Sequence, residues 1–179
     1  MQPEMSLHEQ ELWKKHLSRA RHYAEYGSGG STVVADTFPN LESILSIESD
    51  PDFAAKIRKM APRADIRAID VGTIASYGHP LDESKKDNWT TYSAQDLGTP
   101  DLILVDGRWR VACICHVLRT YPTAILLVHD FAHRTDYHPV LQFADIVESV
   151  DSLVVLQRKS DASDQEIDDL YEAYKYEQA

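Results

Sequence analysis

The sequence predicts a three-layer α/β fold: a doubly wound, mostly parallel sheet of seven strands whose last strand runs antiparallel. Three observations carry this. Short apolar runs alternate with segments of helical spacing along the chain. Two of the runs, Leu102-Ile-Leu-Val105 and Ala124-Ile-Leu-Leu-Val128, are apolar enough to be strands buried on both faces, as in a parallel sheet with helices on each side. Near the end, Ile146-Val147-Glu148 and Leu153-Val-Val-Leu156, joined by Ser149-Val150-Asp151-Ser152, read as a hairpin that turns the final strand around.

The elements follow in order. Ser6-Leu-His-Glu9 has capping-box spacing, and Leu12, Trp13, His16 and Leu17 continue at helical intervals. His22 to Tyr26 is an apolar first strand, broken by Gly27, Gly29 and Gly30 before a short helix that Phe38-Pro39-Asn40 ends. Ile44 to Ile47 is a second strand with Glu48 at its tip, and Asp50-Pro51 starts a helix with Phe53, Ile57 and Met60 on one face. Ile66, Ala68, Ile69 and Val71 suggest a third strand with Asp70 near its end. Residues 72–99 are the least patterned, either a disordered insertion or a polar excursion over the site in which His79 and Trp89 are candidates, by position, for substrate contact. Tyr137 to Phe143 is a short helix. Ser163-Asp-Gln-Glu166 opens a last helix with Ile167, Leu170, Tyr171 and Tyr174 on one face, docked on the domain or on a second subunit. The boundaries are therefore one domain over residues 1–159 and an acidic helix over 160–179.

The glycine turn carries the chemistry. Glycines at a strand-to-helix turn allow positive φ and bring the backbone close to a flat ligand, with helix-start amides facing it and Ser31 as N-cap. Glu48 lies eighteen residues after Gly30. A carboxylate at the tip of the second strand, about 20 residues on, accepts hydrogen bonds from a ribose diol. Nicotinamide dinucleotides and S-adenosylmethionine both carry that diol. The dinucleotide fingerprint wants a third glycine where this chain has G-S-G-G-S-T, and Glu25 would repel a pyrophosphate but stabilise the ammonium of a methionine moiety.

The pattern E-x-G-x-G-G-S followed by Glu48 resembles the first two motifs of the class I S-adenosylmethionine-dependent methyltransferases, and the terminal hairpin extends the resemblance over residues 22–159. It implies a Rossmann-like fold and an S-adenosylmethionine site formed by Glu25, Gly27, Ser28, Gly29, Gly30, Ser31 and Glu48, with Asp70 at the adenine and Asp106 beside the cofactor. Asp106 follows the fourth strand, and His129-Asp130 follow the fifth. In the metal-dependent O-methyltransferases acids at these places hold Mg²⁺, which lowers the acceptor hydroxyl pKa, so Asp106 and Asp130 are candidate ligands for Mg²⁺ or Mn²⁺. His129 stands where an acid is expected. It is either a poor ligand in a metal site, a general base oriented by Asp106 or Asp130, or a structural cap. Arg108 and Arg134 gather at the same strand ends and suit an anionic substrate, whereas Arg110 reads as a solvated helix-start residue.

Net charge is −11, which argues against a nucleic-acid partner, and seven acids against Lys175 lie in residues 160–179. No membrane-length apolar run or signal peptide is present, so the expected location is cytoplasmic. Cys113 and Cys115, two residues apart on one helix, are not spaced for a disulfide or a metal clip. The expected activity is methyl transfer to a small-molecule or saccharide-like hydroxyl, by a monomer or homo-oligomer. A non-catalytic nucleoside-binding module and an NAD-dependent oxidoreductase are the alternatives.

Overall fold

The structure, a computed structural model, describes residues 1–178. Its seven strands are β1 (His22–Tyr26), β2 (Ser43–Glu48), β3 (Asp65–Ala68), β4 (Leu102–Val105), β5 (Ile125–Val128), β6 (Ala144–Val150) and β7 (Leu153–Arg158). They form one sheet in the order β3-β2-β1-β4-β5-β7-β6. Strands β1 to β5 are parallel, and β7 is antiparallel to both β5 and β6. Strand order reverses between β1 and β4, so the carboxyl ends of these two strands open the crevice where such sheets take ligands.

Helices α1 (Leu7–Leu17), α2 (Gly30–Ala35) and α3 (Pro51–Met60) cover one face, and α4 (Lys86–Ser93), α5 (Arg110–Thr120) and α6 (Asp164–Tyr174) the other. The capping box of α1 forms as its sequence dictates: Glu9 N–H donates to Ser6 Oγ at 3.1 Å and Ser6 N–H donates to Glu9 Oε2 at 2.7 Å. Asp50 caps α3 by accepting from Asp52 and Phe53, with Pro51 at the first turn. Helix α5 is buried along nearly all its length, including the free thiols of Cys113 and Cys115, because α6 packs over it through Ile167, Leu170, Tyr171 and Tyr174. Burial pushes the Cys115 thiol up to about 12. The acidic helix is thus docked on its own domain, and Arg119 and Arg158 pair with Asp164 there.

Four expectations are corrected. Strand β3 stops at Ala68, leaving Asp70 in the loop beyond it. Helix α2 begins at Gly30, so Ser31 is inside it and not its N-cap. Residues 72–99 are not a bare excursion: they hold α4, whose two turns bury Trp89 and Tyr92 among polar neighbours too few to show a period. Trp89 is a core residue, its indole N–H donating to Val71 O at 3.1 Å, and not a substrate contact. Trp89→Ala should therefore cost about 3–5 kcal/mol in urea denaturation. A loss below about 1 kcal/mol would show that α4 does not share the domain core.

Candidate functional site

The loop from β1 to α2 is built against two backbones. Gly27 has φ +95°, and a Cβ there would lie 2.8 Å from Gly107 Cα, so the turns after β1 and β4 touch with no room for a side chain. At Gly30 a Cβ would lie 2.1 Å from Gln2 O, because the amino-terminal segment crosses the start of α2. The loop amides expected to face a ligand are engaged within the protein. Gly27 N–H donates to Ile47 O at 2.8 Å, Ser28 N–H to Glu48 Oε2 at 2.9 Å and Gly29 N–H to Thr32 Oγ1 at 2.9 Å.

Glu25 has no exposed surface. Its carboxyl accepts from Tyr23 Oη at 2.7 Å and from the Thr32 hydroxyl. Burial raises its pKa to about 7 against the opposing pull of these hydroxyls and those of Ser31 and Ser46. The carboxyl sits beneath the loop, tied through Thr32 to the Gly29 amide, so no ligand ammonium reaches it while the loop is closed. Glu48 is at the mouth as predicted, but only 7% exposed. It accepts from the amides of Ser28, Ser49 and Asp50 at 2.8–2.9 Å, and burial still raises its pKa above the usual carboxylate range. A strap, Ser76 to His79, lies over it: a Cβ on Gly78 would come within 2.3 Å of Ser49 Oγ and 3.9 Å of Glu48 Oε1. Asp70 points away to solvent, accepting from Gly72 N–H at 3.1 Å with Lys85 at 3.4 Å, so it does not line the crevice.

Tyr92 of α4 and Trp109, the residue just ahead of α5, pack together against the turn after β4. Tyr92 and Trp109 have ring centroids 5.0 Å apart, and the Tyr92 hydroxyl lies 2.1 Å from where a Gly107 Cβ would stand. Two surface cavities, of about 500 and 450 Å³, flank α6, and neither is lined by the glycine loop, Glu48 or Asp106.

The ends of β4 and β5 bring the predicted polar residues together. His129 Nδ1 is 2.9 Å from Asp106 Oδ1 and 3.9 Å from Asp130 Oδ1, and its Nε2 is 3.4 Å from Glu9 Oε2. Burial works against the imidazolium, but Asp106, Asp130 and Glu9 together outweigh it and raise the His129 pKa. Glu9 answers in kind. Burial pushes its carboxyl up, yet hydrogen bonds from Ser152 and Ser6 and the charge on His129 bring it down to about 2.

Atoms of Asp106, His129 and Asp130 lie within 4.8 Å of one another, close enough to share a divalent ion. A cation is already present. Arg110, only 3% exposed, donates through Nη2 to Asp106 Oδ1 at 3.2 Å and through Nη1 to Asp130 Oδ2 at 3.3 Å, and to the carbonyls of Gly107 and His129. Arg134 reaches Asp130 from outside at 3.5 Å. Three carboxylates thus face two guanidiniums and a histidine whose pKa they raise, so the acids have internal partners without a metal. Arg110, expected in solvent, is the centre of the cluster, and Glu9, expected only to cap α1, is its third acid. No signal along the chain marked either, since each depends on which strand end its helix meets.

No family model matches the chain, and no curated protein sequence is similar to it. Among solved structures it is similar to a methyltransferase-like protein from Silicibacter pomeroyi, at 26% identity and a TM-score of 0.86, covering 98% of this chain and 97% of that one. The chain has the class I methyltransferase fold. An N-methyltransferase, NodS, from Bradyrhizobium japonicum, solved with S-adenosyl-L-homocysteine, shares that fold at 12% identity and a TM-score of 0.53 over 86% of each chain. A TehB-like methyltransferase from Corynebacterium glutamicum shares it at 12% identity and a TM-score of 0.50, over 85% of this chain and 98% of that one. The methyltransferase fold accounts for the sheet order, the terminal hairpin and the glycine turn at the switch point. No helix among the described residues is long and apolar enough to cross a membrane.

Proposed function

We propose that this chain is an S-adenosylmethionine-dependent methyltransferase acting on a small hydroxyl-bearing acceptor. One observation carries the reading: in a chain that matches a methyltransferase-like protein over 98% of its length, the β2-tip acid Glu48 sits 2.9 Å from the Ser28 amide of the glycine turn, at the switch point of the sheet. The small residues of the glycine turn and the β2-tip carboxylate suit the cofactor only with the loop and strap opened, since the loop amides and Glu48 are otherwise engaged within the protein. The strap Ser76 to His79 must lift before a ribose reaches Glu48. Tyr77, 77% exposed and held at φ +61° without being glycine, marks the strap as a strained surface segment.

When bound, the cofactor supplies an electrophilic methyl group. The rest falls to the chain. Glu48 holds the ribose, and Glu25 positions the loop through Thr32. His129 lies between Asp106 and Glu9, whose charges raise its proton affinity, and it fixes the Asp106 carboxylate through Nδ1. Asp130 Oδ1, the oxygen not tied to Arg110, is placed to take the proton of an acceptor hydroxyl. A metal at Asp106 and Asp130 would have to displace Arg110.

Calorimetric titration with S-adenosylhomocysteine should give saturable heat, and NAD none. Association should be slow in the native chain and several-fold faster in Gly78→Ala, whose Cβ keeps the strap off Ser49. The closed crevice favours a second reading, a methyltransferase-fold module without cofactor. Absence of S-adenosylhomocysteine binding in both proteins, each shown to be folded, would establish it.

A further inference from the structure

We propose that Arg108, with His79, forms a receptor for a ligand oxyanion, a carboxylate or phosphate, at the rim of the crevice. The inference rests on the proposed function only for the source of that anion, not for the site itself.

Arg108 differs from its neighbours. Arg110 is held by two carboxylates and Arg134 by Asp130. For half-buried Arg108 no ion pair with a carboxylate forms among the described residues, although the chain carries a net charge of −11. Its Nη1 donates instead to neutral His79 Nε2, and its Nε–H is buried with no hydrogen-bond partner. A guanidinium taken from water without an acid costs free energy that folding must offset elsewhere. Burial and the adjacent Arg110 both disfavour its charge, and burial and Arg108 together hold His79 below its ordinary pKa.

An arriving oxyanion would supply what the fold leaves out. Arg108 presents a planar fork, which binds carboxylate or phosphate through paired N–H donors. His79 arrives on the strap, 29 residues earlier in the chain, and gains a proton most readily when an anion shares the site. Two sources carry this chemistry: an acidic acceptor, and the amino-acid carboxylate of the cofactor.

Titrating the full chain with inorganic phosphate and with acetate, followed by thermal unfolding, tests the site. Both probes should raise the melting temperature saturably in the native protein. Arg108→Met should lose at least tenfold in probe affinity and, with no probe present, melt no lower than the native chain. Arg108→Lys should keep part of the affinity, and Arg119→Met, at the carboxyl end of α5, all of it. Equal response in native protein and Arg108→Met, or no saturable response in the native protein, would overturn the proposal.

S-adenosylhomocysteine and 5′-methylthioadenosine, which lacks the carboxylate, then sort the source. If Arg108→Met weakens only the first, the site holds the cofactor; if it weakens neither, the site holds the acceptor. Anion binding without any adenosyl binding would retain the receptor and remove the methyltransferase reading, so the two stand or fall separately.

Discussion

Arg110→Met is expected to lower stability by about 3 kcal/mol or more in urea denaturation, a larger effect than any other single charge in the protein should produce. The side chain bridges Asp106 and Asp130 and is itself buried. Removing one partner of a buried pair leaves the remaining charges without compensation, which costs about 3–5 kcal/mol. Methionine keeps most of the volume, so the loss reports charge and hydrogen bonding more than packing. The variant also decides between the internal cation and a metal. With Arg110 gone, Mn²⁺ should restore part of the lost stability, because Asp106, His129 and Asp130 still present ligand atoms within 4.8 Å of each other. The native chain should gain little from the same ion. If it gains as much, the cluster is a metal centre and Arg110 yields to the ion.

Stability should fall as pH rises from about 4.5 to about 7, and Glu25→Gln should remove most of that slope. Glu25 has a folded pKa of about 7 against a reference of 4.5, burial being the main cause. A raised folded pKa means that the native state binds the proton more tightly. The contribution is fully present below pH 4.5 and lost as pH passes through 7. Two and a half units at 1.36 kcal/mol each amount to about 3 kcal/mol. Melting temperatures of native protein and Glu25→Gln, taken across this range, give the test. Parallel curves would mean that the carboxyl titrates normally and is not enclosed by Tyr23 and Thr32.

The fold was legible because its signals are local. Ser6 and Glu9, Asp50 and Pro51, and the unbroken apolar runs of β4 and β5 act over a few residues, and the structure keeps them where the spacing put them. Helix α4 was not legible. Its apolar face is Trp89 and Tyr92 in eight residues, too short for a 3.6-residue period to emerge from polar neighbours. Glu48 could be located at the tip of β2 from spacing alone, but the three amides that hold it and the strap over it could not.

By itself the sequence determined the order of strands and helices, the glycine turn, and which acids stand at strand ends, since each depends on hydrogen bonding and burial within one element. Only the tertiary structure decided how those groups are charged and what they face. Arg110 became an internal counter-ion, Glu9 crossed from α1 to His129, and Arg108 was left with a neutral partner in His79. Electrostatic pairing acts through space between elements far apart in the chain, and its strength depends on burial that no single segment specifies.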